Sequence, residues 1–150
     1  MIEITNQTID TTAVLSSVHS ELAGASVLFV GTTRKFTGEK ETTKLEYECY
    51  QAMALKQMES LKEQAMEKWP IDKCSIVHRV GVVELGEASI AVAVSTPHRV
   101  ASFESANWLV DTLKKQVPVW KREHWADGSE AWVHPDEAIL EVDRQTPQTD

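Results

Sequence analysis

The sequence predicts a domain that mixes helices with strands, and three observations carry that expectation. Residues 51–69 repeat apolar side chains at helical spacing, residues 88–95 are apolar on both alternating faces, and no repeat or low-complexity linker divides the chain. A chain of 150 residues, 42% of them apolar, buries roughly 68–70% of its unfolded surface and needs no metal or disulfide staple. One domain is expected over residues 1–143, followed by a polar tail at 144–150.

The expected order begins strand, helix, strand, loop, strand, helix, hairpin. Asp10 caps a short helix reaching about Ser20, and Gly24–Val30 is a compact apolar strand. Residues 31–41 are polar, charged and bounded by glycines, which predicts a mobile surface loop. Alternation resumes in a strand over Leu45–Tyr50. In the helix at 51–69, Ala54, Met58, Leu61, Ala65 and Trp69 form the core stripe. Residues 73–83 and 88–95 then read as two strands of a hairpin turning at Gly86. Within the second, Ile90, Val92 and Val94 face one way, and Ala91 and Ala93 the other.

The next helix is expected to start with Thr96 as N-cap and Pro97 in the first position, and to end at Pro118. Phe103, Ala106, Val110, Leu113 and Val117 gather on one face, with Lys114 about 60° and Lys115 about 160° from its centre. Lys114 is thus expected to border the core and Lys115 to point into water. Trp108 projects away from the apolar face and predicts a second packing surface against another chain. An extended segment follows Pro118, then a turn at Asp127-Gly128 and a short strand through Trp132.

Charge narrows the function. With 15 basic and 23 acidic side chains the formal charge is −8, which disfavours nucleic acid as a partner. Residues 98–124 nevertheless carry +2, whereas residues 125–150 carry −6. Such a basic island in an acidic protein points to a confined anion site. Its candidates are His98 and Arg99 at a helix start, Lys114 and Lys121 seven residues apart across a proline, and Arg34 in the polar loop. Charge-assisted hydrogen bonds contribute about 1.5–3 kcal/mol each, so three converging cations supply roughly micromolar affinity for a small phosphate. Paired ammonium groups also suit proton transfer.

Other chemistries lack their signatures. Cys49 and Cys74 have no metal-ligand spacing and read as reduced structural thiols, and His19, His78, His124 and His134 show no metal motif. Neither a nucleophile elbow, a phosphate-binding lysine loop nor a dinucleotide fingerprint occurs. No metal and no cofactor are expected. Met1–Thr5 lacks a signal-peptide pattern and no apolar run reaches membrane-spanning length, so a cytoplasmic location is expected.

From Gly24 to Trp132 the blocks Phe29-Val30-Gly31 with Arg34, Leu45-Glu46-Tyr47-Glu48, His78-Arg79-Val80-Gly81, His98-Arg99, Phe103-Glu104, Asp111-Thr112-Leu113-Lys114 and Pro118-Val119-Trp120-Lys121-Arg122-Glu123 stand in order. In these residues the chain resembles the large, catalytic subunits of molybdopterin synthase. The resemblance implies an α+β fold, an α/β-hammerhead with an additional antiparallel β-sheet. It also implies a homodimer carrying two small ubiquitin-like sulfur-carrier subunits, a heterotetramer. Each carrier ends in a Gly-Gly thiocarboxylate, and the implied sulfurtransferase reaction converts cyclic pyranopterin monophosphate to molybdopterin in molybdenum cofactor biosynthesis. Lys114 and Lys121 match the family's active-site lysines, and Arg34, His98 and Arg99 its anion-binding positions. The contrasting expectation is a noncatalytic dimeric scaffold that holds an anionic partner in its basic pocket. A lysine Schiff-base enzyme is a third, marked by borohydride trapping at Lys114 or Lys121.

Overall fold

The computed structural model describes residues 1–133, so the expected tail at 144–150 and the domain end at 143 lie outside the described residues. Those residues form an α+β fold of two sheets and three helices. The strands are β1 (Ile2–Thr5), β2 (Ala25–Thr32), β3 (Phe36–Thr37), β4 (Lys40–Cys49), β5 (Lys73–Arg79), β6 (Gly81–Glu84), β7 (Ala88–Thr96), β8 (Val119–Trp125) and β9 (Glu130–Val133). The helices are α1 (Thr11–Ser17), α2 (Gln51–Lys68) and α3 (Arg99–Gln116).

The first sheet has the order β1-β5-β7-β2 and is antiparallel except for the β1–β5 pair. Its two inner strands are buried on both faces, as the apolar run 88–95 requires. Ile90, Val92 and Val94 join Met58, Leu61, Leu109 and Leu113 in the larger core beneath α2 and α3. Ala91 and Ala93 face α1 with Val14 and Val18 on the other side. Alternation with period two therefore yields two cores from one strand. Asp10 caps α1 through its side chain, accepting from Ala13 N–H at 3.0 Å, and the helix stops at Ser17.

The second sheet is antiparallel, with β8 and then β9 along one edge of β4, and β6 and the short β3 along the other. Two expectations change here. Residues 73–83 are not one strand: β5 pairs with β7, whereas β6 crosses to pair with β4. Gly81, at φ +83°, makes the switch, because a left-handed backbone is strained for any side chain with a Cβ. Nor is 31–41 a structureless loop. Gly31 and Thr32 complete β2, and Phe36–Thr37 pair with Lys40 and Glu41. Thr33 bonds through its N–H to Glu87 O and through its carbonyl to Gly86 N–H. The polar composition hid backbone pairing that side chains do not announce.

His78 lies in β5 at the junction of the sheets, its ring edge-on to Tyr47 of β4 with centroids 5.3 Å apart. Its Nδ1 meets the Arg79 carbonyl at 2.8 Å, and burial pushes its pKa down to about 4. The folded protein therefore resists protonating His78, whereas the unfolded chain takes the proton near pH 6.5. The contribution is complete above that value and falls as pH drops toward 4. Denaturant titrations should show stability declining by about 3 kcal/mol over this range from His78 alone. His78→Gln should flatten that slope; an unchanged slope would remove His78 as its source.

Candidate functional site

Strand β7 ends at Thr96, two residues turn the chain, and α3 begins at Arg99 with His98 as N-cap. The helix thus starts two residues later than Thr96 and Pro97 predict. Thr96 bonds differently: its hydroxyl donates to the His98 carbonyl at 2.7 Å and lies 2.5 Å from Ser102 Oγ. Ser102 Oγ also reaches the Ala25 carbonyl at 3.3 Å, so this end of α3 is fastened to the start of β2. Gly24 completes the joint, because a Cβ there would stand 2.5 Å from the Pro97 carbonyl oxygen.

From that anchor α3 runs back over β7 and β2. Its buried residues are Ser102, Ser105, Ala106, Leu109, Val110 and Leu113. The inclusion of two serines turns the buried face about 40° from the expected centre. Phe103, expected in the core, is 63% exposed. The two hydroxyls bury without penalty because each finds a partner, Ser105 Oγ donating to the Ser102 carbonyl at 3.3 Å. Trp108, expected to await another chain, instead packs within this one, against Trp69 at 5.6 Å between ring centroids and beneath the Lys68 ammonium. Lys114 and Lys115 are both exposed, Lys114 on the flank opposite Trp108.

Where α3 ends, Val117 N–H closes on the Leu113 carbonyl at 3.0 Å, and Pro118 turns the chain into β8. A depression of about 200 Å³ opens there, lined by both Lys114 and Lys115 together with Val117, Pro118 and Trp120. Lys121 follows on β8 in register with Tyr47, and shares its face with Glu123, a buried carboxylate that accepts from Thr42 Oγ1 at 2.7 Å. Desolvation raises the Tyr47 phenol above its ordinary pKa. The opposite face of β8 carries Trp120, Arg122 and His124. Arg122, counted in the basic island, is paired with Glu46 and Glu130, and the Glu46 carboxyl is held below its usual range chiefly by its Arg122 hydrogen bond.

The candidate cations thus divide between the two ends of α3. His98 and Arg99 stand at its beginning, exposed. Lys114 stands near its end, and Arg34 follows the far end of β2, the end toward which α3 runs. Fifteen residues separate Arg99 from Lys114, about 22 Å of helix rise, beyond the reach of two side chains to one small anion. Sequence reasoning missed Tyr47 as the neighbour of Lys121, which cross-strand register sets beside it, and Trp120 as a neighbour of Lys114 across the turn at Pro118. Cys49 and Cys74 are free, and burial raises both thiols, Cys74 to about 11, which disfavours the thiolate forms. Among the described residues no cluster of metal-ligating side chains occurs, and no helix is long and apolar enough to cross a membrane.

A family model described as MoaE protein matches residues 4–116. The chain belongs to the MoaE family. That match includes Arg34, His98, Arg99 and Lys114, and ends before Lys121. A molybdopterin synthase catalytic subunit from Bacillus subtilis is 40% identical over 131 residues, 87% of this chain and 83% of that one. The crystal structure of molybdopterin synthase from Staphylococcus aureus superposes with a TM-score of 0.82 at 35% identity, covering 87% of this chain and 94% of that one. A complex of subunits 1 and 2 of molybdopterin-converting factor from Helicobacter pylori shares the fold at a TM-score of 0.72 and 20% identity, over 88% and 89% of the two chains. Family membership places the chain among the enzymes of molybdenum cofactor biosynthesis.

The joint at Gly24 holds His98 and Arg99 in place, and it tolerates no side chain. Gly24→Ala should lower stability by about 1–3 kcal/mol, since the obstructing atom is backbone. A melting curve matching wild type would show that the turn relaxes freely.

Proposed function

We propose that this MoaE-family chain is the catalytic subunit of a molybdopterin synthase, a sulfurtransferase that converts cyclic pyranopterin monophosphate to molybdopterin. The observation that carries this reading is a family match extending through α3 and including Lys114, at whose end Lys114 and Lys115 border a small open depression. At about 200 Å³ the depression is below the size of most complete ligand pockets and suits one extended tail. The sulfur donor is the C-terminal thiocarboxylate of a small ubiquitin-like carrier, threading past Trp120 toward Lys114. The two-subunit complex sharing this fold supports a small-subunit partner.

Lys114 and Lys121 hold or move protons and offset negative charge as each carrier sulfur attacks the pterin side chain. Two carriers are consumed per dithiolene, and the cyclic phosphate opens. Arg34, His98 and Arg99 hold the phosphate, and the separation of the two ends of α3 within one chain supports a site to which two chains contribute. The assembly is accordingly a homodimer flanked by two carriers. A cytoplasmic setting accords with the free thiols of Cys49 and Cys74.

The deciding experiment supplies thiocarboxylated carrier and cyclic pyranopterin monophosphate and measures dithiolene product. Lys114→Ala should lower turnover by about 10²–10⁴-fold with unchanged folding, while Lys115→Ala stays near wild type. A Lys114→Ala variant that loses only affinity, with turnover intact, would favour the noncatalytic scaffold. Equal losses at Lys114 and Lys115 would refute a specific role for Lys114.

A further inference from the structure

Arg34 occupies the short link between β2 and β3, and both of its neighbours are bonded through the backbone. Thr33, 2% exposed, donates its N–H to the Glu87 carbonyl at 3.1 Å and accepts from Gly86 N–H at 2.8 Å. On the other side the Lys35 carbonyl accepts from Thr42 N–H at 2.7 Å. The Arg34 backbone is therefore held between the β6–β7 turn and β4, while its side chain stays exposed. A loop arginine loses conformational freedom on gripping an anion, and one whose backbone is already fixed loses less.

The turn is itself fixed by a carboxylate. Glu87 Oε2 accepts from Glu84 N–H at 3.0 Å and from Arg79 Nη1 at 2.9 Å. The Glu87 N–H also closes on the Glu84 carbonyl at 3.1 Å. Chiefly the Glu84 N–H bond holds the Glu87 carboxyl below its usual range, so it stays ionised at neutral pH. Residues 80–87 leave the first sheet, build β6 against β4 and return, and the Arg79–Glu87 pair closes the base of that excursion. The Arg79 side chain is only 11% exposed, and its buried Nε finds no partner among the described residues. Burying a guanidinium with a donor unmet costs free energy, and an apolar pair of similar volume often stabilises a fold as well. Stability alone therefore does not account for the pair.

We propose that Arg79 and Glu87 are positioning residues for Arg34: their ion pair sets the β6–β7 turn, and the turn presents Arg34 to the substrate phosphate. Both act through the backbone of Thr33. The proposal rests on the reading in which Arg34 binds that phosphate. It gives the end of β5 a task at the site, although Arg79 contributes no charge to it, its own being met by Glu87.

The test uses the full chain. Glu87→Gln keeps the shape and an acceptor for Glu84 N–H, but removes the charge that holds Arg79. Hydrogen exchange at the Thr33 and Gly86 amides should quicken at least about tenfold, with the Val92 amide unchanged. In the dithiolene assay the KM for cyclic pyranopterin monophosphate should rise about tenfold with kcat within about twofold, as expected for lost ground-state binding. Arg34→Ala should raise KM at least as much, and adding Glu87→Gln to it should change KM by no more than about twofold, since the pair acts through Arg34. Arg79→Lys, which keeps a donor for Glu87, should fall nearer wild type than Arg79→Gln. KM effects that multiply in the double variant would overturn the proposal, as would unchanged exchange at Thr33 and Gly86 or a fall in kcat alone. Quickened exchange in a chain whose wild type makes no dithiolene would sustain the hold on Arg34 and remove the phosphate reading instead.

Discussion

The length of one helix governs this molecule. α3 is fastened at its start by Thr96, Ser102 and the close approach of Gly24 to Pro97, and it lies along the sheet for eighteen residues. A helix cannot shorten, so Arg99 and Lys114 are held about 22 Å apart. Basic side chains that look adjacent as a local excess of charge in the sequence are thereby delivered to opposite ends of a rigid rod. Any account of how they act together must explain how two ends meet.

The second sheet contributes alternation. Along β8, Trp120, Arg122 and His124 face one way, while Lys121 and Glu123 face the other with Tyr47. Arg122 and Lys121 are neighbours in sequence and opposites in role: the first is committed to Glu46 and Glu130, the second stands over the junction of the two sheets. The adjacent basic pair Lys121-Arg122 thus contains one structural cation and one candidate catalytic cation. Period-two geometry separates them where composition cannot.

Much of the fold was legible because its signals are local. The stripe Ala54, Met58, Leu61 and Ala65, the two-sided apolarity of 90–94, the Asp10 cap and the turn at Gly128 each depend on a few neighbouring residues. What sequence reasoning lost was non-local. Ser102 and Ser105 were unreadable as core because their partners belong to Thr96 and the helix backbone, and the phase of α3 shifted with them. Trp108 found Trp69 across thirty-nine residues. The candidate cations were recognisable by type and by resemblance, whereas their division between two ends follows only from the path of α3 over the sheet.

Gly81 carries a consequence for how the protein comes apart. The segment 73–84 is an inner strand of one sheet and then an edge partner in the other, with one left-handed residue between. Neither sheet can open fully without pulling on this shared segment, and the Tyr47–His78 ring contact fastens the same crossing from the side. The two layers are therefore bound into a single cooperative unit, in which loss of either layer is felt at once by the other.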